Sequence, residues 1–75
     1  MSPEQLVAQV FGLRVSQVTD ATSNQNVPEW DSLGHVNLIM QVESHYGMSF
    51  STEEALTLTS VGALKHTLVE LGIVW

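Results

Sequence analysis

Glu29-Trp30-Asp31-Ser32-Leu33-Gly34-His35 decides the fold of this chain, because the longest helical pattern in the sequence begins inside it. Val27-Pro28 precedes it, and proline disfavours helix in the residue before it. From Ser32 onward apolar residues recur at helical spacing as far as Tyr46, and Gly47 follows as a stop signal. Asp31 is a natural N-cap, since its carboxylate can accept from the first free backbone N–H groups. Ser32 then falls at or next to the first helical position. A helix start carries partial positive charge and unpaired donors, so a phosphate ester on Ser32 is physically sensible. On its own an Asp-Ser pair marks no more than a cap, and the surroundings must supply the rest.

The helix expected over Ser32 to Tyr46 has two apolar sides. At about 100° per residue, Leu38, Ile39, Val42 and Tyr46 cluster on one side, and Leu33, Val36 and Met40 nearly opposite. A helix packed only on its own bundle needs one stripe. The second is either buried by another part of this chain or left for a partner. Met40 suits a surface that meets several partners, because its side chain adapts its shape. Asp31 and Glu43 flank this stripe and can pair with Lys or Arg of a partner.

Asp31-Ser32-Leu33, followed by Val36, Leu38, Ile39, Met40, Val42, Glu43 and Tyr46-Gly47, resembles the acyl carrier protein family. The likeness runs from about Leu6 to Leu71, and Thr59-Ser60-Val61-Gly62-Ala63-Leu64 looks like the start of that family's last helix. It implies that Ser32 carries a 4′-phosphopantetheine, transferred from coenzyme A by a phosphopantetheinyl transferase, with Asp31 beside it. The arm's thiol would hold an acyl group as a thioester. The stripe next to the serine, here Leu33, Val36 and Met40 with Glu43, would be the surface on which acyl-loading and acyl-transferring enzymes dock through basic patches. The expected fold is all-α, a single domain over residues 1–75: a four-helix, up-down, acyl-carrier-like bundle with a long first loop and a short third helix. Leu6, Val10, Phe11, Leu38, Val42, Leu64 and Leu68 would line a cleft for a short acyl chain. Asn37, Gln41, Ser44 and His45 replace the acids usual on this helix in fatty-acid carriers, and Trp30 and Gly34 also depart from that pattern. These departures point to a stand-alone carrier of a specialised pathway.

The first helix is expected to start near Ser2-Pro3-Glu4, with Ser2 as cap and Pro3 at the first position, and to fray near Arg14 or Val15 after Gly12. Leu6, Val7, Val10 and Phe11 form its inward stripe, with Leu13 at the edge. Ser16 to Glu29 is too long for an ordinary helix–helix turn, so it needs internal anchors. Val15, Val18 and Val27 are the candidates, and its Asn and Gln residues read as solvated loop. Ser51-Thr52-Glu53-Glu54 is a capping box opening a brief helix to about Leu56, with Leu56 and Leu58 closing one end of the core. Ser60 caps the last helix, whose Val61, Leu64, Leu68 and Leu71 share a face and which Gly72 ends. Ile73-Val74-Trp75 is expected to fold back on the bundle.

Eight acids against Arg14 and Lys65 give a formal charge of −6. Nucleic acid is a poor partner for such a chain, since binding needs basic residues. Between the two cations lie Asp20, Glu29, Asp31, Glu43, Glu53 and Glu54 and no Lys or Arg, which favours a basic protein partner. There is no cysteine, so any working thiol comes from a cofactor. His35, His45 and His66 lack the spacing of a metal pair and read as surface or boundary residues. Asp31, Ser32 and His35 are too close in sequence to form a nucleophilic triad easily, and the chain reads as a substrate of enzymes rather than an enzyme. No apolar run approaches the ~20 residues of a membrane span, and Met1 to Gln5 lack signal-peptide character; a cytoplasmic monomer is expected, with a removed organelle presequence left open. A peptidyl carrier would show paired glycines before the serine, which are missing. A D-alanyl carrier, or an unmodified adaptor using the Leu33–Val36–Met40 stripe, stays open.

Overall fold

Four helices and no strand carry the chain in the computed structural model, which describes residues 1–75. They are α1 (Pro3–Phe11), α2 (Ser32–Tyr46), α3 (Thr52–Thr57) and α4 (Val61–Glu70), with a 3₁₀ turn at Val15–Gln17. Each helix starts on a side chain suited to the task. Ser2, Asp31, Ser51 and Ser60 accept from the backbone N–H three residues on, and Ser2–Gln5 and Ser51–Glu54 complete reciprocal capping boxes. Helix α1 ends at Phe11 rather than near Arg14 or Val15. Gly12 takes the left-handed conformation at φ +67° and returns its N–H to the Ala8 carbonyl, closing the last turn.

The core is one cluster to which α1 gives Leu6, Val7, Ala8 and Phe11, α2 gives Leu38 and Val42, and α4 gives Val61, Leu64 and Leu68. α1 lies against both α2 and α4. Leu38, Val42, Leu58, Val61, Leu64 and Leu68 are wholly buried; each gains about 1.5–3 kcal/mol from leaving water, offset by the entropy of ordering it.

The long first connection is fastened to the start of α4. The N–H of Asn24 donates to Thr59 O (3.0 Å), that of Val61 to Thr22 O (2.9 Å) and that of Gly62 to Asp20 O (3.0 Å). Val18 and Val27 are buried as expected, joined by Thr22 and Trp30. Val15 is not an anchor: it is half exposed, because the 3₁₀ turn lies wholly on the surface and only extended Val18 reaches inward. The Asn-rich segment is more than solvated loop. Asn26 accepts from Ser23 N (2.9 Å) and donates to Ala21 O (3.0 Å), so its amide braces the turn from within.

Four apolar residues expected in or against the core, Leu56, Leu71, Val74 and Trp75, stay outside it. Leu56 is 72% exposed: no residue of the short α3 is buried, and it is Leu58, just past the helix, that reaches the core. Leu71 follows the last helical residue and leaves the α4 face. In the tail only Ile73 packs on the core. Its N–H reaches Leu68 O (2.9 Å), no such bond holds Val74 or Trp75, and both are exposed. Lys65 ties α4 to α1 and the first loop through Glu4 (3.1 Å) and Asp20 (2.9 Å). Its hydrogen bond to Asp20, then that to Glu4, raises its pKa above 10.5.

Candidate functional site

Ser32 is the first residue of α2 and is exposed. Two features hold the helix start there. Asp31 accepts from Gly34 N through Oδ1 (2.8 Å), and its carbonyl accepts from His35 N (2.7 Å). The N–H groups of Ser32 and Leu33 have no protein acceptor. They lie at the positive end of a fifteen-residue helix, so donors and dipole both favour an anionic group on the neighbouring hydroxyl.

Gly34 lets this turn form. A Cβ there would overlap the Glu29 carbonyl oxygen and reach within 3.0 Å of Phe11 Cε1. The strand of chain entering α2 therefore passes directly over its first turn. The reading of Gly34 as a departure from the fatty-acid pattern has a local cause, a close approach that excludes every larger side chain.

Beside Ser32 is a surface cleft of about 510 Å³, lined by Asn24, Trp30, Asp31, Ser32, His35, Leu56 and Thr59. Its inner side is aromatic. Trp30 is 3% exposed and stacks on Phe11, ring centroids 5.1 Å apart. Trp30 Nε1–H donates to His35 Nδ1 (3.0 Å), and the opposite ring nitrogen of His35 lies 2.7 Å from Ala55 O. An indole N–H can only donate, so Nδ1 accepts and the proton sits on Nε2, which donates to Ala55. His35 thus joins the first turn of α2 to α3. Sequence reasoning treated Trp30 as a mere departure and His35 as a surface or boundary residue. The one signal for their role was an aromatic and an imidazole five residues apart across a helix start.

The second apolar side of α2 is not covered by the chain. Leu33 is 83% exposed, Val36 56% and Met40 61%, while Leu38 and Val42 on the other side are wholly buried. Glu43 differs from the expectation of a free docking acid. It is partly buried, and its Oε2 accepts from Phe50 N (2.8 Å), tying α2 to the turn that follows it. The seven core residues expected to form an acyl cleft pack on one another, and none lines either surface cleft of the fold. His45 packs edge-on to Tyr46 and His66 meets Glu70 at 3.4 Å on the surface. No helix is long and apolar enough to cross a membrane.

No family model matches the chain. It is similar to an acyl carrier protein of Rubrobacter xylanophilus, with 36% identity over 67 residues that cover 89% of this chain and 83% of that one. Likeness on that scale covers most of both chains, and the chain belongs to the acyl carrier protein family.

Proposed function

We propose that this protein carries acyl intermediates as thioesters on a 4′-phosphopantetheine attached to Ser32, for a specialised biosynthetic pathway, and that it is a substrate of enzymes rather than an enzyme. The observation that carries the reading is the pairing of an exposed Ser32 hydroxyl with the unclaimed N–H groups of Ser32 and Leu33 beside an open cleft. The group supplies a thiol on a flexible arm, which a chain without cysteine lacks. The residues present fit it: Ser32 is the acceptor hydroxyl, the free N–H groups and helix dipole favour its phosphate, and Asp31 fixes the turn.

The exposed Leu33, Val36 and Met40 form the docking stripe for the transferase and for acyl-handling enzymes. Glu29, Asp31 and Glu53 are exposed acids of the same middle segment that holds no cation, and they suit partners with basic patches.

The test is intact mass before and after incubation with coenzyme A and a broad-specificity phosphopantetheinyl transferase, with Ser32→Ala in parallel. One added phosphopantetheine, lost in the variant, is expected. A folded protein that gains nothing beside an active control carrier would overturn the reading in favour of an unmodified adaptor.

A further inference from the structure

Three parts of the chain meet at the cleft beside Ser32: the long first loop through Asn24, the start of α2 through Asp31 and Ser32, and the stretch around α3 through Leu56 and Thr59. The N–H of Asn24 donates to Thr59 O (3.0 Å), so these two residues stand side by side on a fixed backbone. Their side chains are spare. Thr22, Ser23 and Asn26 of the same loop spend theirs on bracing its turns, and Thr57 donates to Glu54 O. Those of Asn24 and Thr59 bond nothing in the protein and border the cleft. Each carries a donor and an acceptor. Leu56, 72% exposed, supplies apolar surface, together with Trp30, which is held by a hydrogen-bond relay through His35 to Ala55 O.

A ligand suited to this lining has groups that both give and take hydrogen bonds, spaced by apolar ones. It also lacks a negative charge, because Asp31 is the one acid of the lining and no Lys or Arg is there to pair with an anion. Beyond its phosphate, the arm read onto Ser32 has that chemistry: a gem-dimethyl group, a hydroxyl, and amides separated by methylenes. The phosphate itself suits the unclaimed N–H groups of Ser32 and Leu33. A cleft of about 510 Å³ is within the size range of small-molecule sites. Ser32 is part of the lining, so contact with its own arm is intramolecular, at an effective concentration on the order of millimolar. A fit too weak to hold a free molecule then suffices.

We infer that Asn24, Thr59 and Leu56 seat the neutral stretch of the phosphopantetheine arm on Ser32, the two polar side chains bonding its amides and Leu56 covering its methyl groups. The inference rests on the carrier reading above. The seat holds the arm at rest, and a partner enzyme competes with it for the arm.

The experiment compares the unmodified protein with the coenzyme A-modified protein by NMR, with intact mass confirming complete modification. Modification is expected to shift the Asn24 side-chain amide and the Thr59 and Leu56 methyl signals. It is also expected to give NOEs from the gem-dimethyl and amide protons of the arm to all three residues. Asn24→Ala, at an exposed position, and Thr59→Val, which nearly keeps the side-chain shape, should each lose most of those NOEs. The arm signals should then move toward the narrow lines of free pantetheine. Gln25→Ala, exposed in the same loop and outside the cleft, should keep the NOEs. Spectra of the unmodified variants check their fold, and if Thr59→Val fails to fold, Asn24→Ala decides alone. A modified protein whose arm keeps the lines of free pantetheine and touches none of the three residues would overturn the seat and leave the carrier reading standing. NOEs that survive both substitutions would do the same. Failure of Ser32 to gain an arm would overturn the carrier reading and the seat together.

Discussion

Helices α2 and α4 start alike in sequence and finish differently in space. Each has a small capping residue, Asp31 or Ser60, that accepts from the N–H three positions on, and each has a glycine in its first turn. At α4 the first two free N–H groups, on Val61 and Gly62, are taken by the carbonyls of Thr22 and Asp20. At α2 the corresponding groups on Ser32 and Leu33 are free and exposed. The free N–H groups of an exposed helix start are ordinarily met by water, as at Thr52 and Glu53 of α3, and at α4 the long first loop puts protein acceptors in its place. At α2 the loop instead packs against the turn at Gly34 and leaves the Ser32 and Leu33 N–H groups unclaimed. The difference makes the α4 start a joint of the scaffold and leaves the α2 start, with the Ser32 hydroxyl, open to solvent.

The largest test of that contrast is steric. Gly34→Ala must push against backbone at Glu29, and we expect it to cost about 2–3 kcal/mol of stability by urea unfolding. Gly62 also faces a carbonyl, that of Asp20, but at 3.2 Å from an added Cβ. There a small shift is offset by the ~1 kcal/mol gained from replacing glycine in a helix, so Gly62→Ala should stay within about 1 kcal/mol of the native protein. Equal losses would mean that the approach of the loop to α2 is no closer than its approach to α4.

Next in size is the side face. Val61, Leu64 and Leu68 of α4 are wholly buried, whereas Val36 of α2 is 56% exposed. Val36→Asp should therefore change stability by no more than about 0.5 kcal/mol. If Leu33, Val36 and Met40 meet the transferase, it should slow loading of Ser32 on the order of tenfold, or ~1.4 kcal/mol. A loading rate unchanged in a folded variant would remove Val36 from the docking stripe.

The caps come third. Asp31→Ala removes the one side chain that closes the α2 start, and we expect a loss of about 1–2 kcal/mol. Ser60→Ala removes one of three closures at α4, and about 0.5–1 kcal/mol is expected. The same loss at both would show that the Thr22 and Asp20 carbonyls add nothing to the α4 joint.

What was legible in the sequence was what local chemistry determines. Ser2, Asp31, Ser51 and Ser60 announce helix starts because a cap acts on its own next three residues, and the limits of α2 follow from Asp31 and Gly47 in the same way. The two-sided pattern of α2 was legible too, although only packing could decide that its second side stays uncovered. The relay was not legible. His35 reaches an acceptor twenty residues away at Ala55, and Trp30 finds its place through Phe11, nineteen residues before it. Neither partner has a periodicity to announce it. Leu56, Val15 and Leu71 misled for the opposite reason: hydrophobicity alone does not say on which side of a single turn a residue falls.

The smallest expected effect concerns the charge that helps to shut the α4 joint. Lys65, one turn into α4, bonds the carboxylate of Asp20, whose carbonyl caps Gly62, and bonds Glu4 of α1. No ion pair braces the start of α2. The folded pKa of Lys65 is raised above 10.5 by Asp20 and Glu4. That of Tyr46, which donates to Met1 O at 2.8 Å, is raised above 10.0 by burial and by the charge of Glu4. Both groups bind protons more tightly when folded, so their stabilisation is complete below the unfolded values and is lost as pH rises through the raised ones. The thermal midpoint should thus fall between about pH 9 and pH 12, and the fall should be shallower in Lys65→Met and shallower again with Tyr46→Phe added. An alkaline profile that keeps its slope in the double variant would show that the joint is held by the backbone bonds of Thr22 and Asp20 alone, and that the contrast between the two helix starts owes nothing to Lys65.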